Sequence, residues 1–87
     1  MDKELRRKRL YYQSCHRGSK EMDIVFIQFA DGVLPSLDEA GMDMYEALLQ
    51  EQDVDLWRWF TNEAPLPPEL DNAVWHKLVE INAKAFR

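Results

Sequence analysis

Two side chains of opposite charge, Arg17 and Glu21, stand four residues apart around a glycine in the stretch HRGSKEMD, residues 16–23. Gly18 leaves backbone uncovered between them, and a corner of that kind admits a partner closely. Cys15 and His16 stand just before it. A cysteine nucleophile needs a base that a third group orients, and adjacent helical positions point to different sides. Cys15 therefore reads as a small apolar residue. A metal needs three or four converging ligands, whereas His16 and His76 lie far apart. No glycine-rich phosphate loop has the required spacing. The residues thus assign no catalytic group, no metal ligand and no cofactor-binding residue, and the many carboxylates of the second half read as solvated faces. The corner also has a plain structural reading: Gly18 stops one helix and Ser19 caps the next. Residue types alone leave both readings open.

The chain has 87 residues, which bounds it to one domain with little room for a deep active site. Its three Trp, four Phe and four Met supply the bulk that a small core needs. A single cysteine forms no internal disulfide and fits a reducing compartment. The longest apolar run, Ile24 to Ile27, is far short of a membrane span, so a protein without membrane insertion is expected. No apolar run follows the basic N-terminus as it would in a secretory signal. The expectation is a cytoplasmic protein, or a mitochondrial one whose presequence has been removed. The net charge of −5 divides into +5 over residues 1–20 and −10 over the remainder. The basic end can meet nucleic acid or, equally, an acidic protein surface. The acidic remainder would repel a nucleic-acid backbone, so no nucleic-acid partner is expected.

Apolar spacing and stop signals predict five helices, at about residues 2–15, 19–31, 37–51, 53–61 and 68–86, with no credible strand. Asp2 caps the first, whose expected apolar stripe is Leu5, Arg9 and Tyr12, widened by Leu10 and Tyr11. Met22, Val25, Phe26 and Phe29 give the second an i, i+3, i+4, i+7 face. Ser36 and Glu39 match a capping box for the third, with Leu37, Ala40, Met44 and Leu48 spaced for burial and Gly41 a weak point. Asp53 is placed as the cap of the fourth, with Leu56, Trp57 and Phe60 inward. Pro68 is placed at the start of the fifth, whose stripe is Leu70, Val74, Leu78, Ile81 and Ala85, broadened by Trp75, Val79 and Phe86. Trp57, Trp59 and Trp75 read as core rather than a ligand cage. The fold class is all-α, a small five-helix bundle.

In this context the corner resembles the R-G-x-x-E motif of the succinate dehydrogenase assembly factor family, here Arg17-Gly18-Ser19-Lys20-Glu21. RRKRLYYQSCHRGSKEMD is similar to that family's first helix and turn, and YEALLQEQDVDLWRWF to its third helix and D-x-D-L-W-x-W segment. FAD at Phe29–Asp31 resembles the end of its second helix; the letters are residues and not the cofactor. The similarity covers about residues 5–62. His16 and Ser19 depart from the Arg or Lys and the apolar residue of several members. The resemblance implies a five-helix bundle that binds the flavoprotein subunit of succinate dehydrogenase, or of fumarate reductase. Such a protein promotes covalent attachment of FAD to a histidine of that subunit. It also implies a non-enzymatic chaperone, a monomer when free, that binds no FAD stably and acts on FAD held by its partner. Arg17, Gly18 and Glu21 would form the centre of the partner-binding surface, bordered by Met22 and Asp23. Arg17 would offer the partner a planar donor fork, Gly18 close approach, and Glu21 an acceptor. Some members have been described as antitoxins, so a toxin-binding regulatory module is the alternative. The cytoplasm is the implied location in a bacterium, the mitochondrial matrix in a eukaryote.

Overall fold

Side-chain caps start four of the five α-helices among the described residues, 2–83, of the computed structural model. Asp2 accepts from the Glu4 N–H at the head of α1, Lys3–Cys15. Ser19 accepts from the Met22 N–H at the head of α2, Lys20–Gly32. Asp38 accepts from the Gly41 N–H at the head of α3, Glu39–Leu49, and Asn72 from the Trp75 N–H at the head of α5, Ala73–Asn82. The fifth, α4 at Asp53–Phe60, follows Gln52 with no side-chain cap. Short 3₁₀ turns at Leu34–Ser36 and Pro68–Leu70 complete the described elements. Among the described residues the five-helix, strand-free architecture agrees with the expected fold class.

Several local expectations are corrected. Ser36 does not cap α3; its hydroxyl donates to the Val33 carbonyl, and Asp38 takes the cap. Asp53 is the first residue of α4 rather than its cap, because its carboxylate is taken by Arg17. Pro68 opens a 3₁₀ turn, and α5 begins five residues later. The expected continuation to residue 86, with Ala85 and Phe86, lies outside the described residues.

The core forms where α2 lies between α1 and α5, with α3 closing one side. Met22, Val25, Phe26 and Phe29 are all buried, as their spacing requires. On α1, by contrast, the buried positions are Leu10 and Ser14, while Leu5 and Tyr12 face water. The inward side of α1 is polar, and its arginines bond across to other elements. Arg6 reaches Asp43 and Glu46 of α3, and Arg7 donates to the Leu37 carbonyl. On α3 the buried set is Gly41, Met42, Tyr45, Leu48 and Leu49, with Ala40 exposed and Met44 half-buried. A Cβ at Gly41 would come within 2.9 Å of Leu37 Cδ2. The glycine thus allows the 3₁₀ turn to close on the start of α3, and is not merely a weak point. Trp75 is buried, and Trp57 and Trp59 are half-buried against the core.

Tyr45 joins the layers. Its ring stacks on Phe29 with centroids 4.7 Å apart, and its hydroxyl lies 2.5 Å from Ser14 Oγ. Burial pushes its phenol above the ordinary range near 10. The ionised form is disfavoured in the folded state only, so the contribution is intact below pH 10 and is lost as pH rises beyond it. Wild-type Tm should therefore fall above pH 10, and Tyr45→Phe should flatten that decline; thermal melts from pH 8 to 12 check it.

Candidate partner-docking corner

Arg17, Gly18 and Ser19 turn the chain between α1 and α2. Gly18 adopts φ +94°, a conformation that L side chains rarely take, and a Cβ there would meet open space. Strain, of order 1 kcal/mol, and not a clash is what selects glycine. Two hydrogen bonds fix the turn. The Arg17 N–H donates to the Asp23 carboxylate at 2.8 Å, and Ser19 Oγ accepts from the Met22 N–H. Ser19 Oγ also donates to Glu21 Oε2 at 3.2 Å, orienting that carboxylate.

The five sequence-predicted residues divide into an inner and an outer set. Met22 is buried in the core, so it anchors the corner rather than bordering its surface. Asp23 is half-buried and pins the turn. Gly18 and Glu21 are exposed. Arg17 departs most from expectation. Its Nε donates to Asp53 Oδ1 at 2.8 Å, Nη1 to the Leu49 carbonyl and Nη2 to the Glu51 carbonyl, both at 2.5 Å. The guanidinium also lies over the Phe26 ring, 5.2 Å from its centroid. Its fork is therefore spent within the chain and not offered outward. A cation at the end of α3 meets the negative end of the helix and carbonyls that the helix leaves unpaired. One side chain thus bonds the corner to the end of α3 and the start of α4 at once.

This clamp brings α4 beside the corner. An open cleft of about 470 Å³ lies between them, lined by Ser19, Glu21, Asp53, Val54 and Trp57. Val54 is 55% exposed there, which gives the acidic rim an apolar wall. The sequence reads Asp53 as a cap and Trp57 as core, and assigns Val54 no role. The available signal was the D-x-D segment heading α4, but nothing local ties it to a corner 36 residues away. Among the described residues no group of three His, Cys, Asp or Glu side chains is placed to hold a metal ion. The geometry suits recognition: a rigid turn, exposed backbone at Gly18, and an oriented carboxylate beside an apolar wall.

The sequence profile described as "Flavinator of succinate dehydrogenase" matches residues 8–82. The chain belongs to that family. It is 37% identical over 84 residues to a Scheffersomyces stipitis protein named succinate dehydrogenase assembly factor 2, mitochondrial, covering 93% of this chain and 56% of that protein. The Dictyostelium discoideum protein of the same name is 37% identical over 78 residues, 90% of this chain and 55% of its own length. Succinate dehydrogenase assembly factor 2-A of Drosophila mojavensis is 36% identical over 83 residues, 93% of this chain and 52% of its own. The chain thus spans about half the length of these relatives. Every residue of the corner, the clamp and the cleft wall falls inside the matched segment of this flavinator-family chain.

Proposed function

We propose that this flavinator-family chain is an assembly factor that binds the flavoprotein subunit of succinate dehydrogenase, or its fumarate reductase counterpart, and promotes covalent attachment of FAD. The observation that carries the reading is the family match across the corner, joined to a corner held rigid and facing outward. Gly18 and Glu21 make the contact, and Arg17, Met22 and Asp23 hold them in place. Asp53, Val54 and Trp57 extend the contact along the cleft. The role is non-catalytic. By binding the mobile parts of the flavoprotein, the chain keeps the acceptor histidine and the flavin aligned, and alignment alone supplies several kcal/mol to such a step. FAD belongs to the partner in this reading, and the chain acts as a monomer.

No helix among the described residues is long and apolar enough to cross a membrane. The relatives named above carry "mitochondrial" in their names, which supports a mitochondrial site of action in a eukaryote; in this reading that site is the matrix, and its bacterial counterpart is the cytoplasm. The test is to purify the tagged chain from its native host lacking the endogenous copy. The flavoprotein should co-purify, and its covalent flavin should fall when the chain is absent. Capture of a toxin instead, with normal covalent flavin in the deletion strain, would refute the proposal.

A further inference from the structure

The side of α1 turned away from the core carries large apolar groups in water. Leu5 is 64% exposed and Tyr12 62%. At the helical repeat, Leu5, Lys8, Arg9, Tyr12 and His16 fall within an arc of roughly 100°, opposite the buried Leu10 and Ser14. Scattered exposed apolar residues are ordinary, but these two are aligned and lead to the corner. The Tyr12 ring stacks on His16 with centroids 4.0 Å apart, and His16 Nδ1 lies 2.8 Å from the Tyr12 carbonyl oxygen. The result is a ridge about 16 Å long from Leu5 to His16, ending two residues before Gly18.

Its charge narrows the occupant. Arg6 is bound to Asp43 and Glu46, Arg7 to Glu4, and Arg9 to Glu46. On the ridge itself Lys8 is exposed and keeps its charge for an outside partner. One uncommitted lysine is too few for a phosphate-tracking surface, whose affinity grows with each phosphate neutralised. Two aligned apolar side chains beside it suit a protein surface instead.

We propose that this ridge is a second contact with the flavoprotein, seated on an acidic surface that has an apolar socket for Leu5 and Tyr12. The proposal rests on the reading of a protein partner at the Gly18–Glu21 corner and extends that contact along α1. Its test uses purified flavoprotein subunit and three forms of the chain: wild type, Leu5→Ser/Tyr12→Ser, and Lys8→Glu. The double variant should bind at least tenfold more weakly with unchanged helicity and Tm, because both side chains are exposed. Lys8→Glu should bind several-fold more weakly and show a shallower salt dependence. Wild-type affinity in both variants would overturn the ridge alone and leave the corner intact. Wild-type self-association in sedimentation, lost in the double variant, would assign the ridge to a second copy of the chain and overturn the proposal. A wild-type chain that does not bind the flavoprotein would overturn both readings together.

Discussion

Arg17→Ala is expected to destabilise the fold by about 3 kcal/mol, the largest effect of any substitution at the corner. The guanidinium is 10% exposed and its partner Asp53 21%, so solvent screens the pair little. Removing it leaves the Asp53 carboxylate without its cation and strips donors from the Leu49 carbonyl at the end of α3 and the Glu51 carbonyl in the link to α4. For a domain of this size the loss corresponds to a Tm lower by about 15 °C. Arg17→Lys keeps the charge but cannot span three acceptors from one nitrogen, so it should recover only about half of the loss. A double-mutant cycle with Asp53→Asn checks the direct term, which should come to about 1–2 kcal/mol of coupling. Equal stability of Arg17→Ala and wild type in urea melts would contradict the clamp. The flavoprotein affinity of Arg17→Ala should fall as well, and stabilising the variant by other means should recover only part of it, because the corner is no longer held against α4.

Glu21→Ala is expected to do the opposite. Glu21 is exposed in the first turn of α2, where a carboxylate favours the positive end of the helix. Its removal should cost no more than about 0.5–1 kcal/mol of stability. Affinity for the flavoprotein should nevertheless drop by at least about tenfold, as for a side chain at the centre of an interface. Glu21→Gln separates charge from shape: it keeps an acceptor, and should fall between wild type and alanine. Calorimetric titration against the flavoprotein, with far-UV circular dichroism as a folding control, measures both. The contrast between the two positions is the main consequence of the geometry. Two charged residues four apart in sequence are placed differently, Arg17 bonded within the molecule and Glu21 exposed at its surface.

That division was not legible in the sequence, although the corner itself was. Gly18 and Ser19 announced a stop and a restart through local chemistry, and the turn is built that way. The apolar face of α2 was equally plain, since Met22, Val25, Phe26 and Phe29 repeat at helical spacing with nothing polar between them on that side. The face of α1 was misjudged for a physical reason. Its inward positions carry Arg6, Arg7 and Ser14, each bonded to a partner on another element, while Leu5 and Tyr12 are left outside. Counting apolar residues assigns such a helix to the wrong side. The destination of the Arg17 guanidinium was hidden because its acceptors lie 32, 34 and 36 residues away. Two of these are backbone carbonyls, which have no signature in a sequence. The same distance concealed the cleft, whose walls come from the corner and from α4.

The central claim is that Glu21 acts on the flavoprotein and not on the fold. It is tested most directly by covalent flavin on the flavoprotein subunit, read by in-gel fluorescence of the denatured protein after co-expression with wild type, with Glu21→Ala or with no chain. Wild type should raise the signal well above the level without the chain, and Glu21→Ala, present at equal amount and with unchanged Tm, should return it close to that level. Flavin attachment with Glu21→Ala equal to wild type would contradict the account.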